Sequence, residues 1–250
     1  MSTDGAPGAT HFRFRFVPVL TAVLLGFGLP YLAGEIVEEL RHYTHLVPAF
    51  ADKTGWSSAT HAVLLVLTLI AIAAMRWLVP ADYGLHPPRD KSYLVWAVVW
   101  GVGGGIVLGA LQYLGDLSSQ EIYRTHADAL ASAKSLGALL NYGVFVGPAQ
   151  EVLFRALLVT FLAAKMPGTW SIGGRPIEAA GVTVGLIYAL FEMTIFPSAL
   201  ATIGYVLCLV VMGTVYAYWQ LRSRSVVAPI VGHSLAGMVM YVVSVGLTLA

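Results

Sequence analysis

Glu151 and Arg155 lie four residues apart inside the apolar segment GPAQEVLFRALL (Gly147–Leu158). On a helix that spacing puts an acid and a base on one face, where each can neutralise the other. A charge placed in hydrocarbon costs at least about 2.5–3.5 kcal/mol on insertion scales, so such residues mark function by default. Two further apolar segments carry ionisable groups: Tyr188–Glu192 (YALFE) and Ala228–His233 (APIVGH). Neither Glu192 nor His233 has a charged neighbour within a helical turn, so each needs a partner from another helix. The economical packing brings Glu151, Arg155, Glu192 and His233 into one polar pocket. Two carboxylates and an imidazole in a low-dielectric pocket form an acid/base set, because burial moves their pKa values toward neutrality.

The elements that position these groups are membrane spans. The chain is 58 % hydrophobic and 11 % charged, with a mean hydropathy of +0.77. A water-soluble domain carries about 25 % charged residues, so the composition predicts an all-α, polytopic transmembrane helical bundle. The net charge of +1 offers no basic field for nucleic acid. The single cysteine, Cys208, excludes an intramolecular disulfide and reads as a packed small hydrophobe.

Apolar runs near the ~20 residues that cross a bilayer predict about seven spans: Phe16–Gly34, Ala59–Val79, Tyr93–Leu114, Leu136–Ala164, Glu178–Phe196, Ala199–Leu221 and Val226–Leu249. Residues 1–15 read as a disordered cytoplasmic N-terminus and 16–250 as one membrane domain, with the motifs inside 137–240. The run after His11, Arg13 and Arg15 is long for a cleaved signal peptide and is read as a retained first span. Counting Lys and Arg on either side of these spans sets Arg13, Arg15, Arg76, Arg89, Lys91, Lys165, Arg175, Arg222 and Arg224 against Arg41, Lys53, Arg124 and Lys134. The excess predicts an N-terminus inside and a C-terminus outside, a parity that a re-entrant helix would change, and a cytoplasmic (inner) membrane location. The same limits put His233 toward the cytoplasmic third and Glu192 in the outer half, which separates them unless a helix tilts or breaks.

Gly101, Gly103, Gly104, Gly105 and Gly109 cluster in the third span. A phosphate loop needs a preceding strand, so close helix–helix packing is the expected role. The connection Gly115–Lys134 reads as an amphipathic surface helix. Glu38, His42 and His45 have spacing that could hold zinc on a surface helix, and Glu151, Glu192 and His233 could do so within the membrane. Such groupings arise commonly by chance, and no metal or other cofactor is expected.

The order and spacing of the three polar segments resemble the CAAX protease and bacteriocin-processing family (CPBP, also called ABI), which includes the type II CAAX prenyl endopeptidases. Pro148, Phe154, Arg155, Leu157 and Leu158 match the first motif, Tyr188–Glu192 stands at the second, and His233 stands at the third with Gly213 and Tyr216 upstream. Asp82–Pro87 (DYGLHP) is similar to a short element preceding the family's third-span region, and the resemblance runs from about Tyr83 to the C-terminus. It implies a general-base glutamate acting on water with a second-motif histidine, and a last-motif His and Asn or Asp that stabilise an oxyanion. Here those positions read Gln150, Glu192, His233 and Gly237, so only His233 is unchanged. Glutamine cannot accept a proton, and the implied mechanism must be rearranged.

Three functions follow. The first is peptide hydrolysis in or next to the membrane, with Glu151, Glu192 and His233 catalytic and Gln150, Arg155 and Tyr188 binding substrate. The second keeps the fold for acid/base chemistry on a lipid or isoprenoid, in a pocket lined by Tyr142, Phe145, Phe154, Tyr188, Phe191 and Tyr241. The third is a non-catalytic scaffold, immunity or binding protein that retains the ion pairs for structure. The expected partners are membrane lipids and a membrane-embedded peptide or isoprenoid substrate.

Overall fold

The computed structural model describes residues 14–43, 53–116, 134–172 and 175–249. The amphipathic helix expected over Gly115–Lys134, the cytoplasmic tail and His45 therefore fall almost wholly outside the described residues. Six helices are long and apolar enough to cross a bilayer. They belong to α1 (Phe16–Tyr43), α2 (Lys53–Leu78), α3 (Ser92–Asp116), α4 (the continuous helical run 134–165), α6 (Ala199–Ser223) and α7 (Val227–Leu249). A hairpin of β1 (Thr169–Ile172) and β2 (Arg175–Glu178) and a short helix, α5 (Ala179–Phe191), lie between α4 and α6. The expected polytopic helical bundle is what the chain forms, and this is an integral membrane protein.

The helix α4 is the axis. Its apolar window is 83 % buried, against 17–39 % for the other five spans, so the rest of the bundle wraps it and turns apolar side chains outward. Trp77 and Leu200, 90 % and 81 % exposed, show the lipid-facing surface. Two stretches of α4 wind as π-helix, Asn141–Val146 and Val152–Val159, on either side of the α-helical Gly147–Glu151. Each wider turn re-aims the side chains that follow, and such turns recur at functional sites.

α3 and α7 run parallel in close contact, and the reason lies in three glycines. A Cβ on Gly101 would sit 2.6 Å from Gly232 O, on Gly105 2.7 Å from Ala236 O, and on Gly109 2.8 Å from Met240 O. The i, i+4, i+8 spacing aligns all three on one stripe, and the α7 backbone lies in the groove they leave. The packing role expected for this cluster is thus met at those three positions.

The expected span Glu178–Phe196 needs correction. α5 has 13 residues, about 20 Å at 1.5 Å per residue, against the ~30 Å of a hydrocarbon core. Residues 192–198 are not helical. α5 packs antiparallel on α6, Gly181 against Ala217 and Gly185 against Thr214. The non-helical stretch continues to the start of α6, where Phe196 N donates to Thr202 Oγ1 at 2.9 Å. Backbone without helix is tolerated at membrane depth only where protein buries it or it lines a cavity. The break falls at Glu192, the residue at the C-terminal cap of α5.

The turn into α7 is pinned from outside the bundle. Gly84 adopts φ +68°, and a Cβ there would meet Arg224 O and Ser225 Cα, each at 3.3 Å. Val226 N donates to Gly84 O at 3.0 Å, and Ser225 Oγ donates to His86 O at 2.5 Å. This is the Asp82–Pro87 element, and it fixes where α7 starts and hence where His233 sits.

Candidate functional site

Glu151 and Arg155 are fully buried on adjacent turns of α4, with Arg155 Nε 3.1 Å from Glu151 Oε2. The contact is electrostatic rather than an aligned hydrogen bond, for both atoms lack a hydrogen-bond partner among the described residues. The guanidinium is held by aromatic faces instead. Its Cζ lies 4.8 Å from the Tyr188 ring centre, 5.8 Å from Tyr216 and 5.9 Å from Phe154. Cation–π contacts of this kind are worth up to about 2 kcal/mol when desolvated.

The second oxygen of Glu151 reaches another helix. His233 Nδ1–H on α7 donates to Glu151 Oε1 at 2.7 Å. A carboxylate oxygen only accepts, so the proton is on Nδ1 and the other ring nitrogen is left for a different partner. Tyr188 meets the imidazole edge-on at 5.8 Å and Tyr216 stacks on it at 6.4 Å. The small residues at this crossing allow the approach, since a Cβ on Gly147 would collide with Ser234 Oγ.

Glu192 closes the set from α5. Gln150 Nε2 donates to Glu192 Oε1 at 2.7 Å. Glu192 and His233 line one cavity of about 50 Å3, together with Tyr142, Tyr188, Tyr205 and Tyr216. That volume holds one or two waters at about 30 Å3 each. The break at residue 192 answers the depth mismatch between Glu192 and His233 implied by the span limits: the helix stops where the carboxylate enters the site.

The structure brings Glu151, Arg155, Glu192, His233, Gln150 and Tyr188 together, but not in equal roles. Glu192, His233 and Tyr188 face the cavity. Glu151 and Arg155 stand behind it, sealed from solvent, and neither lines the cavity. Of the aromatic lining expected, Tyr142 and Tyr188 are present, whereas Phe145, Phe154, Phe191 and Tyr241 are not in the lining. Tyr205 and Tyr216 take their place; both are tyrosines on an apolar helix, and periodicity alone does not separate a cavity tyrosine from a packed one.

A second polar cluster was not signalled by any motif. Ser58 Oγ donates to Asn141 Oδ1 at 2.9 Å and Asn141 Nδ2 donates to Ser57 Oγ at 3.3 Å, clamping α2 to the first π-turn of α4. His61 Nδ1–H donates to Ser57 O at 2.8 Å. On the surface, Glu38 lies 3.5 Å from Arg41 and 3.8 Å from His42. Among the described residues no three His, Cys, Asp or Glu side chains converge as metal ligands.

Residues 132–239 match a family model described as type II CAAX prenyl endopeptidase Rce1-like. This segment is similar to that family. The match contains Glu151, Arg155, Glu192 and His233, together with Gln150 and Gly237. It agrees with the resemblance to the CAAX protease family drawn from the motifs. No curated protein and no solved structure matches the chain.

Proposed function

We propose that this protein is a CAAX-protease-type intramembrane endopeptidase in which Glu192, reaching in from the broken helix α5, is the base that activates water. The observation that carries the proposal is the shared cavity of Glu192 and His233, with Gln150 Nε2 2.7 Å from one Glu192 oxygen. Gln150 cannot take a proton; it holds Oε1 and leaves Oε2 free for the water.

In the reaction, Glu192 accepts a proton as the water oxygen bonds to the scissile carbonyl carbon. The carbonyl π pair moves onto oxygen, and the imidazolium Nε2–H of His233 donates to that oxyanion. Glu151, bonded to Nδ1, fixes the ring and stabilises its charge; Arg155 lies against the other Glu151 oxygen. Collapse re-forms the carbonyl, breaks the C–N bond and passes the proton from Glu192 to the departing amine. Water is consumed and two chain ends are produced. The excess of Lys and Arg on one side supports an N-terminus inside, in the cytoplasmic membrane.

One observation favours a substrate with a long apolar chain. A groove of about 480 Å3 between α3 and α6, lined by Trp100, Gly103, Gly104, Leu207 and Cys208, shares Met212 with the polar cavity. The groove has room for a prenyl chain beside the polar cavity, which suits a prenylated peptide and equally acid/base chemistry on a lipid or isoprenoid. Incubation with a prenylated CAAX-type peptide in H2(18)O separates the two. Hydrolysis places one 18O in the new C-terminal carboxylate; an intact peptide alongside a converted lipid would replace the peptidase reading with the lipid one.

A further inference from the structure

Gly237 lies one turn beyond His233 on α7, and a tyrosine ring fills the space where its side chain would be. A Cβ on Gly237 would stand 2.8 Å from Tyr142 Cδ1 and 3.2 Å from both Cβ and Cγ of that residue. Tyr142 comes from the first π-turn of α4. Its neighbour Asn141 is clamped to Ser57 and Ser58 on α2, and the next position carries the ring across to α7, where it also tilts against Tyr241 at 6.3 Å. The Tyr142 ring lines the cavity of Glu192 and His233.

The other three cavity tyrosines are placed differently. Tyr205 turns its hydroxyl to Met240 Sδ at 3.8 Å. Tyr188 covers the Arg155 guanidinium with its ring face, and the Tyr216 hydroxyl is buried beside it without a hydrogen-bond partner among the described residues. Tyr142 makes no side-chain hydrogen bond among the described residues, and it lines the cavity.

We propose that Tyr142, seated on Gly237, is a catalytic hydrogen-bond donor to the oxyanion, acting alongside His233. This inference rests on the peptidase reading. In a water-excluded site a donor already in place stabilises developing charge without reorganisation. The absence of a side chain at Gly237 is then a requirement of the donor's seat.

The test compares Tyr142→Phe, Gly237→Ala and Glu192→Gln with wild type in detergent, reading kcat and KM on a prenylated CAAX-type peptide and the thermal midpoint. Tyr142→Phe keeps the ring and is expected to lower kcat about 10²-fold, the scale for one lost oxyanion donor, with KM and thermal midpoint unchanged. Gly237→Ala pushes the ring off its seat and is expected to lower kcat as well; adding Tyr142→Ala restores any stability that Gly237→Ala loses. Wild-type kcat in Tyr142→Phe with an inactive Glu192→Gln overturns the donor and leaves the peptidase reading standing. Parallel loss of kcat and stability in Tyr142→Phe makes the hydroxyl structural and also overturns the proposal. No turnover by wild type overturns both readings.

Discussion

Replacing Glu151 by Gln keeps the shape of the side chain and removes its charge. Its two partners respond differently. His233 Nδ1–H, 2.7 Å from Glu151 Oε1, can still donate to an amide oxygen. Arg155 cannot be satisfied so easily, because it is fully buried and its nearest anion, 3.1 Å away, is gone. Removing one partner of a buried ion pair costs about 3–5 kcal/mol, since the other charge stays desolvated. The Tyr188 and Tyr216 faces remain as cation–π partners, which places the expected loss in the lower half, about 3–4 kcal/mol. At about 2–4 °C per kcal/mol for a chain of this size, the thermal midpoint falls by about 6–16 °C. Pairing Glu151→Gln with Arg155→Met removes the stranded charge and should recover most of that loss, because a buried ion pair replaced by apolar groups of similar volume is close to neutral. The assay is thermal unfolding of the four proteins in one detergent. A Glu151→Gln midpoint within 2 °C of wild type, or a double variant no more stable than the single one, would refute the buried-pair reasoning.

Two other perturbations probe the frame. Gly105→Ala sets a Cβ 2.7 Å from Ala236 O and from Val239 Cβ; overpacking of this kind costs about 1–3 kcal/mol, so the thermal midpoint should drop, and an equal or higher midpoint would remove the glycine stripe from the account. His86 and Asp82, outside the spans, form a pH-dependent clasp. Both His86 ring nitrogens face acceptors, Pro87 O at 3.0 Å and Asp82 Oδ2 at 3.1 Å, which calls for the imidazolium. The Pro87 carbonyl and then Asp82 raise the His86 pKa, while the Gly84 amide and then His86 lower that of Asp82. The His86 contribution is therefore full below its unfolded pKa of about 6.5 and lost as pH rises through the raised value; the Asp82 contribution is full above about 3.9 and lost as pH falls through the lowered value. His86→Ala should thus lower the midpoint at pH 6 and much less at pH 9. The opposite trend would mean that the clasp does not exist in the protein.

How much of this was legible in the sequence depends on the element. Glu151, Arg155, Glu192 and His233 stood out because a charge in an apolar run is costly, and that penalty forces partners wherever the helices go. The i, i+4 pair was readable as such, and so were the glycines that admit α7. The meeting of Glu192 with His233 was not, because it depends on a break that hydropathy hides: Met193, Ile195 and Phe196 continue the apolar run past the end of α5. Pro197 and Ser198 marked a boundary, and Ser198 does cap α6 through Ala201 N at 3.3 Å, but they fall several residues after the helix has ended. The two π-turns of α4 have no periodic signature, and they aim Asn141 and Tyr142 at different helices. The hairpin Thr169–Glu178 lay under a stretch read as a connection, and its strands of four residues are too short to show alternation. The division of labour between Glu151 and Glu192 was equally hidden, since both are acids in apolar helices and only packing decides which one meets the cavity.

The central claim is that Glu192 is the catalytic base and carries no fold. The direct measurement is cleavage of a prenylated CAAX-type peptide by wild type and by Glu192→Gln, with the thermal midpoint of each in the same detergent. Gln at 192 can still accept from Gln150 Nε2, so the account predicts an unchanged midpoint with cleavage lower by at least about 10²-fold, the scale of a lost general base. Cleavage by Glu192→Gln at the wild-type rate, or loss of activity only in step with loss of stability, would contradict it.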